Sequence, residues 1–286
     1  MNLHLRGAPE LVVVENASGE SPEPAARRYR GRLRLTSLGR GVGFGEASNI
    51  GVRASSAPAT VLLNPDCELV DASLPALAAV ALHRGALAGP RLVNPDGSVQ
   101  PSASGPPTGP WPWVSALAPG RLQPAALRAR TEPWRLERTT RVAWLTGACI
   151  AAPRKLLLTL GPFDPAIGLY AEDMDLGLRA AARGVRSLFC PDVCRILHHG
   201  GASTSIALSS AEAAKLAARS RRAVLRRAAG PRSERLAWLA QRTNLRLRVL
   251  AKPRLGIDAD REETALAATR SARAEELPPP PSSAGA

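Results

Sequence analysis

The first two hundred residues alternate between short apolar runs and longer segments in which apolar positions recur every three or four residues. Short apolar runs bounded by turn residues are typical of buried strands, whereas the longer period indicates amphipathic helices. Strands that alternate with helices favour an α/β core over about residues 9–205. We predict strands at 11–14, 33–35, 60–63, 86–93 and 185–190, and helices at 46–54, 74–84, 153–160 and 173–183.

Three other segments depart from this alternation. Residues 101–133 are rich in Pro, Gly and Trp, which predicts an irregular loop or lid. Residues 211–248 have the pattern of two basic helices, broken at Gly230-Pro231. The Pro-rich C-terminus favours disorder. We therefore expect an α/β domain at 1–205, a basic helical extension at 206–253 and a mostly disordered tail at 254–286.

Composition adds a strong and uneven charge. The formal net charge is +14, and the segment from Lys215 to Arg254 holds thirteen Lys or Arg residues against one acid, Glu234. The four cysteines do not have the spacing of a zinc site, so we expect reduced, mostly buried thiols. The N-terminus lacks the apolar stretch of a signal peptide, and no apolar run is long enough to span a bilayer. These features indicate a cytoplasmic protein.

The basic segment has three interpretations. It is a solvated or packed pair of helices, a surface that contacts an anionic membrane, or a nucleic-acid-binding element. Leucines and Trp238 are interleaved with the arginines, which favours a peripheral position on the inner face of the plasma membrane. Nucleic acid is the least favoured partner, because no aromatic platform accompanies the charge.

Candidate chemistry is concentrated at three places. Asp66 follows a predicted strand, Glu172 and Asp173 begin a predicted helix, and His198 comes later in the chain. Carboxylates at strand ends and an imidazole are suitable ligands for a divalent cation, and a further carboxylate can act as a general base. Each place also has a plainer explanation, as a turn, a favourable charge at a helix N-terminus or a surface residue. The glycines of residues 39–45 fit neither a dinucleotide loop nor a P-loop.

Taken in order, the motifs resemble glycosyltransferase family 2 of the GT-A fold, and in particular its bacterial rhamnosyltransferase-like branch. That fold is an α/β nucleotide-diphospho-sugar transferase domain with a mostly parallel sheet flanked by helices, here followed by the basic helical extension. The resemblance covers about residues 11–205. It rests on residues 12–18, 43–51, 62–66, 89–98, 144–149, 161–164, 172–176 and 196–198.

The resemblance implies an inverting transfer of a sugar from a nucleotide-diphosphate donor. Asp66 and His198 would bind Mg²⁺ or Mn²⁺ against the diphosphate. Asp173 would be the general base, with Glu172 as the second choice, and Asp175 would support the helix start. The residues expected to contact the donor nucleotide are Glu15, Asn16, Ser18, Phe44, Gly45, Asn49 and Asn64.

The same resemblance implies a dTDP or UDP sugar as donor, with rhamnose as the leading choice. The implied acceptor is a glycan or a polyprenyl-diphosphate-linked sugar in cell-envelope polysaccharide synthesis. The family opens with a further strand, and only ten residues precede Leu11, so we expect this chain to lack it. Glu15 also replaces the Asp usual in the family. The alternative is a truncated, non-catalytic relative that binds a membrane or a protein partner.

Overall fold

A computed structural model of the chain describes residues 8–19, 21–167, 169–200 and 209–274. The chain forms two compact units. The first consists of Met1–Gly105 with Glu132–Ser203, and the second of Pro106–Thr131 with Thr204–Ala286. The expected boundary at residue 205 is therefore close, but the first unit is interrupted by a segment that belongs to the second.

The first unit contains short strands and helices in alternation. Its helices are α1 (Glu23–Ala26), α2 (Phe44–Ala54), α3 (Leu74–Arg84), α6 (Arg154–Leu160) and α7 (Glu172–Ala182). Its strands are β1 (Leu11–Glu15), β2 (Leu33–Ser37), β3 (Ala59–Leu63), β4 (Cys67–Leu69), β5 (Leu87–Gly89), β6 (Arg91–Val93), β7 (Ala103–Ser104), β8 (Thr140–Val142), β9 (Trp144–Leu145), β10 (Cys149–Pro153), β11 (Ser187–Phe189) and β12 (Arg195–His198). Single 3₁₀ turns lie at Pro133–Arg135 and Pro165–Ile167.

A five-stranded sheet of order β3-β10-β5-β11-β8 forms the centre of this unit. Side chains of β10 alternate between its two faces, as the pleat of a strand requires. Cys149 and Ala151 lie in a core with α3, whereas Ile150 and Ala152 lie in a second core with α2, α6 and α7. The sheet is thus covered by helices on both faces. β1 and β2 pair in parallel with each other, and α2 packs against both β1 and β3.

The sheets are mixed, which corrects the expectation of a mostly parallel sheet. Three of the described strand pairs are parallel, β1 with β2, β5 with β11 and β6 with β12, and the other five are antiparallel. Strands β8, β9 and β10 follow one another without an intervening helix, so no crossover makes them parallel to their neighbours. The strand predicted at 86–93 is divided at Pro90, which has no N–H to continue the ladder. Its halves, β5 and β6, pair in different sheets.

The second unit is helical, and two expectations about it are wrong. Its helices are α4 (Trp111–Leu117), α5 (Ala125–Thr131), α8 (Ser210–Ala251) and α9 (Asp260–Ala274), with 3₁₀ turns at Gly120–Leu122 and Pro253–Leu255. The segment expected to be a loop or lid contains α4 and α5. Pro112 is compatible with α4 because it occupies the first turn of the helix, where a proline is tolerated. The tail expected to be mostly disordered contains α9, which packs along α8 and buries Leu266 and Ala272. Residues 275–286 lie outside the described part of the chain.

The long helix α8 is interrupted at Gly230, whose backbone is not helical, as the Gly-Pro pair predicts. Beyond the break, buried Glu234 accepts a hydrogen bond from Arg222 Nε at 2.8 Å and lies 3.3 Å from Arg273. The Trp238 ring lies beside the guanidinium groups of Arg242 and Arg273, and its N–H donates to Thr269 O. Trp238 therefore joins α8 to α9, and contact of the basic segment with a membrane stays a prediction.

The cysteines have the form expected from the sequence. All four cysteines are free thiols, three of them buried and Cys67 half-buried. Across the described ranges, none of the helices has both the length and the apolar character needed to cross a bilayer.

Candidate active site

The turn after β3 and the end of β12 bring Asp66 and His198 together. The Asn64 N–H donates to Ala148 O at 2.9 Å, which ties the turn to the loop before β10. His198 pairs with Cys67 in the antiparallel register of β12 and β4. As a result, His198 Nε2 lies 3.3 Å from Asp66 Oδ1, and both side chains are largely buried, at 14% and 9% exposure. The predicted acidic and imidazole residues therefore meet at one point.

Gln100 determines the orientation of the His198 ring. Its amide nitrogen donates to His198 O at 2.7 Å and to Asn94 Oδ1 at 2.6 Å, so its oxygen is the atom that faces His198 Nδ1, at 2.8 Å. A carbonyl oxygen only accepts, and Nδ1 must then carry the proton. The lone pair of a neutral ring is consequently on Nε2, directed towards Asp66. Sequence reasoning missed Gln100, which lies in a non-periodic loop after the turn at residues 94–97.

This arrangement fits a divalent cation. Asp66 Oδ1 and Asn64 Oδ1 are buried and have no hydrogen-bond partner in the described structure. Two acceptors that face each other at 3.3 Å repel unless a cation lies between them. A carboxylate with an imidazole and an amide oxygen is a donor set suited to Mg²⁺ or Mn²⁺. The residues present thus match the metal site that the sequence predicts.

Two neighbouring residues are unsuited to this role. Burial and the charge of Asp66 raise the pKa of the Cys67 thiol to about 12, so the thiol keeps its proton. It donates to Ala148 O across 3.4 Å. His199, the next residue after His198, is half-exposed, and its Nε2 lies 3.4 Å from a carboxylate oxygen of exposed Glu68. Hard oxygen and imidazole ligands therefore define the site.

The second half of the site is the N-terminus of α7. Tyr170 and Ala171 both have positive φ, at 71° and 64°, an uncommon backbone for residues with side chains. This sharp turn leads directly into the acidic first turn of the helix. Asp173 accepts hydrogen bonds from the N–H groups of Gly147 at 3.0 Å and Met174 at 2.7 Å.

Glu172 is in a different environment from its neighbour. The side chain is buried, and its Oε2 has no hydrogen-bond partner among the described residues. Burial, with a contribution from the charge of Asp173, raises the Glu172 pKa to about 7. The two adjacent carboxyl groups are thus distinct: one is held by backbone donors, and the other titrates near neutral pH.

A glycine lets α7 approach the sheet closely enough to place Asp173. A Cβ at Gly177 would lie 2.4 Å from Trp144 Cβ and 2.9 Å from Ala143 O. Gly177 is one helical turn beyond Asp173, on the same face of the helix. Asp175 does not merely support the helix start, because it is buried and pairs with Arg179 at 2.6 Å. Arg179 in turn donates to the carbonyl groups of Leu160, Gly161 and Pro162.

The loop between β9 and β10 connects the two halves. Gly147 N donates to Asp173, and the next residue, Ala148, accepts from Asn64 N and from the Cys67 thiol. Thr146 hydrogen-bonds to the backbone of Pro101 and Ser102, directly after Gln100. A single three-residue loop therefore contacts the turn that holds Asn64 and Asp66, the segment that holds Gln100, and the first turn of α7.

The residues expected to contact the nucleoside lie at the end of β1. Glu15 Oε1 accepts hydrogen bonds from Ser18 N and Ser18 Oγ, which lower the Glu15 pKa. Both amide atoms of Asn16 bond to the backbone of Val42, at 2.8 Å each. Asn16 thus holds the loop before α2 in place. Nucleotide contact by these residues stays a prediction.

The three residues expected in α2 divide into two groups. A Cβ at Gly147 would lie 3.8 Å from the Phe44 ring, so Phe44 is next to the Asp173 half of the site. Asn49 is buried, and its amide donates to Phe163 O at 2.7 Å and accepts from Phe163 N at 2.9 Å. A Cβ at Gly45 would lie 2.9 Å from Phe163 Cβ. Gly45 and Asn49 thus accommodate Phe163 in the core, and their contact with the nucleotide stays a prediction.

Comparisons with known proteins agree with this geometry. The family model described as glycosyltransferase like family 2 matches residues 7–230. A Mycobacterium tuberculosis protein named N-acetylglucosaminyl-diphospho-decaprenol L-rhamnosyltransferase is 32% identical over 222 residues, which cover 68% of this chain and 67% of that protein.

Solved structures show the same fold. The Pyrobaculum calidifontis mannosyltransferase PcManGT, in complex with GDP-Man and Mn²⁺, aligns with 93% of this chain and 76% of its own at a TM-score of 0.54 and 17% identity. GalNAc-T7 with UDP, GalNAc and Mn²⁺ aligns with 74% of this chain and 42% of its own at a TM-score of 0.51 and 18% identity. The fold is GT-A, and the chain belongs to glycosyltransferase family 2.

Proposed function

We propose that the protein transfers rhamnose from a dTDP- or UDP-linked donor to an N-acetylglucosamine carried on a polyprenyl diphosphate. The observation that carries this proposal is the convergence of Asp66, His198 and Asp173 around one loop in a family 2 glycosyltransferase. The choice of sugar and acceptor follows the name of the M. tuberculosis relative, at 32% identity. Such a reaction belongs to cell-envelope polysaccharide synthesis.

The metal half of the site would bind the leaving group. Asp66 and His198 would hold Mg²⁺ or Mn²⁺, and Asn64 Oδ1 is a third oxygen in the same turn. When bound, the cation supplies positive charge that stabilises the departing diphosphate. Gln100 keeps the His198 lone pair available for it. Neighbouring complexes with Mn²⁺ support a divalent metal in this fold.

The carboxylate half would act on the acceptor. Asp173 takes the proton from the acceptor hydroxyl while the hydroxyl oxygen attacks the anomeric carbon, and the bond to the nucleotide diphosphate breaks on the opposite side. One displacement inverts the anomeric configuration. The two backbone N–H groups fix the Asp173 carboxylate, and buried Glu172 lies beside it as a second, more weakly acidic group.

A polyprenyl-linked acceptor resides in a bilayer, so the proposed reaction takes place at a membrane surface. The basic second unit supports this location by its charge, since anionic lipids attract clustered Lys and Arg. We accordingly place the protein on the cytoplasmic side, as a peripheral membrane enzyme.

Transfer activity tests the proposal directly. We expect the purified chain with Mn²⁺ to move rhamnose from dTDP-rhamnose to a short-chain polyprenyl-diphospho-GlcNAc, with inversion seen by NMR of the product. Asp173→Asn is expected to lower kcat by about 10²- to 10⁴-fold, as loss of a general base does, while dTDP affinity is unchanged. Exposed Asp71→Asn is the matched control. A larger loss of kcat in Glu172→Gln than in Asp173→Asn would assign the base to Glu172 instead.

The environment of Glu172 predicts a pH-dependent stability. Its pKa of about 7 in the folded chain exceeds the ordinary 4.5, so the folded state binds the proton more tightly and loses stability as the pH rises between these values. Glu172→Gln removes this loss. We expect the free energy of unfolding of the variant, relative to that of wild type, to rise by roughly 3 kcal/mol from pH 4 to pH 8. Urea denaturation at both pH values measures this difference, and parallel stability curves for the two proteins would contradict it.

The support of His198 by Gln100 predicts a loss of metal affinity on substitution. Gln100→Leu removes the acceptor for Nδ1–H, and we expect Mn²⁺ binding, measured by EPR on the chain without substrates, to weaken about 10- to 100-fold. Gln100→Glu keeps an acceptor and should bind more tightly than Gln100→Leu. Gln241→Leu, in α8, controls for loss of an amide. Unchanged Mn²⁺ affinity in a folded Gln100→Leu would show that Gln100 does not orient the ring.

A further inference from the structure

The end of α8 and the turn that follows carry an unusual group of exposed side chains. Leu247, Leu250, Leu255 and Ile257 are 43%, 57%, 60% and 51% exposed. Single exposed leucines are ordinary, but four exposed aliphatic side chains within eleven residues concentrate apolar surface at one end of α8. We call residues 246–257 the α8 tip.

The backbone holds these side chains outward. Leu247 and Leu250 are three residues apart and share one face of the helix. The helix then ends in a hydrogen-bonded turn, in which Leu255 N and Ile257 N both donate to Lys252 O, at 2.9 and 3.0 Å. Gly256 has the positive φ, 69°, that this turn requires. The exposure of Leu255 and Ile257 is thus a property of an ordered turn.

The α8 tip is also strongly cationic. Between residues 246 and 257 there are four Lys or Arg residues and no carboxylate. Glu262 of α9 approaches two of them, Lys252 at 2.6 Å and Arg248 at 3.9 Å. Arg246 and Arg254 have no carboxylate partner in the described residues, and the Arg254 guanidinium donates to Leu250 O. Exposed Asp258 and Asp260 follow directly, so the cations without a carboxylate partner beside the aliphatic side chains are Arg246 and Arg254.

We propose that the α8 tip is the surface by which this chain binds an anionic lipid bilayer, with its leucines and isoleucine between the headgroups and its arginines on lipid phosphates. Aliphatic side chains beside unpaired cations are complementary to that surface. A nucleic acid is disfavoured, because the large exposed hydrophobic residues of the described chain are all Leu, Ile or Val and offer no ring for base stacking.

The sequence pattern indicates membrane contact along the whole basic helix, whereas the structure favours contact at the α8 tip. Trp238 is half-buried against α9 and Val224 is buried, whereas the four aliphatic side chains of the α8 tip are exposed. The membrane location rests on the proposed function. The surface itself is tested without donor or acceptor, so a chain that binds vesicles but transfers no sugar would refute the function alone.

Vesicle co-sedimentation of the full chain tests the surface. We expect binding to vesicles of three parts phosphatidylcholine to one part phosphatidylglycerol, weaker binding at high salt, and little binding to phosphatidylcholine alone. Neutralising Arg246, Arg248 and Arg254 to Gln should weaken binding about a hundredfold. Leu250→Ser with Leu255→Ser and Ile257→Ser should weaken it comparably.

Leu236→Ser provides the matched control, because Leu236 is 54% exposed on the same helix but outside the tip. Thermal unfolding checks that each variant is folded. The proposal would be overturned if the wild-type chain did not bind the anionic vesicles, or if both triple variants bound them as strongly as wild type. Sedimentation velocity gives a further contrary outcome: a dimer of the wild-type chain lost in the Leu/Ile variant would identify the tip as a contact between two copies.

Discussion

The loop of Thr146, Gly147 and Ala148 is the constraint on which the candidate site depends. Its backbone hydrogen-bonds to Asp173 on one side and to Asn64 on the other. Because β9 and β10 flank the loop, its position is fixed by two strands of the first unit. The turn that holds Asn64 and Asp66 and the carboxylates of α7 are far apart in sequence, and this loop connects them. A change in the backbone of this loop would therefore disturb the Asp66 side and the Asp173 side of the candidate site together.

The elements that the sequence predicted well are those in which local pattern and burial agree. β3 ends at Asn64-Pro65-Asp66, as its apolar run and turn residues indicate, and α7 begins at its acidic turn. The break of α8 at Gly230 follows from the same kind of local signal. Asp66, Asp173 and His198 were identified because ionisable residues at such ends are visible in one dimension. These residue types indicated a shared metal and base site, and the resemblance to the family assigned a role to each residue.

The elements that the sequence did not reveal depend on contacts distant along the chain. Gln100 contacts His198 across 98 residues, and Asn49 contacts Phe163 across 114, so no periodicity marks either. The motif around Asn49 gives residue types without their direction, so it does not show that the amide bonds to Phe163. The helix α9 was missed because its mixed composition resembles a disordered tail, whereas its stability comes from packing on α8.

Calorimetric titration of dTDP and UDP into the chain, with and without Mn²⁺, tests the central claim most directly. We expect a cation between Asp66 and His198, with the diphosphate of the nucleotide against it. Nucleotide binding should then require Mn²⁺ and be lost in Asp66→Ala, while Asp173→Asn binds the nucleotide as tightly as wild type. Nucleotide binding of equal strength without metal, or unchanged by Asp66→Ala in a folded chain, would contradict it.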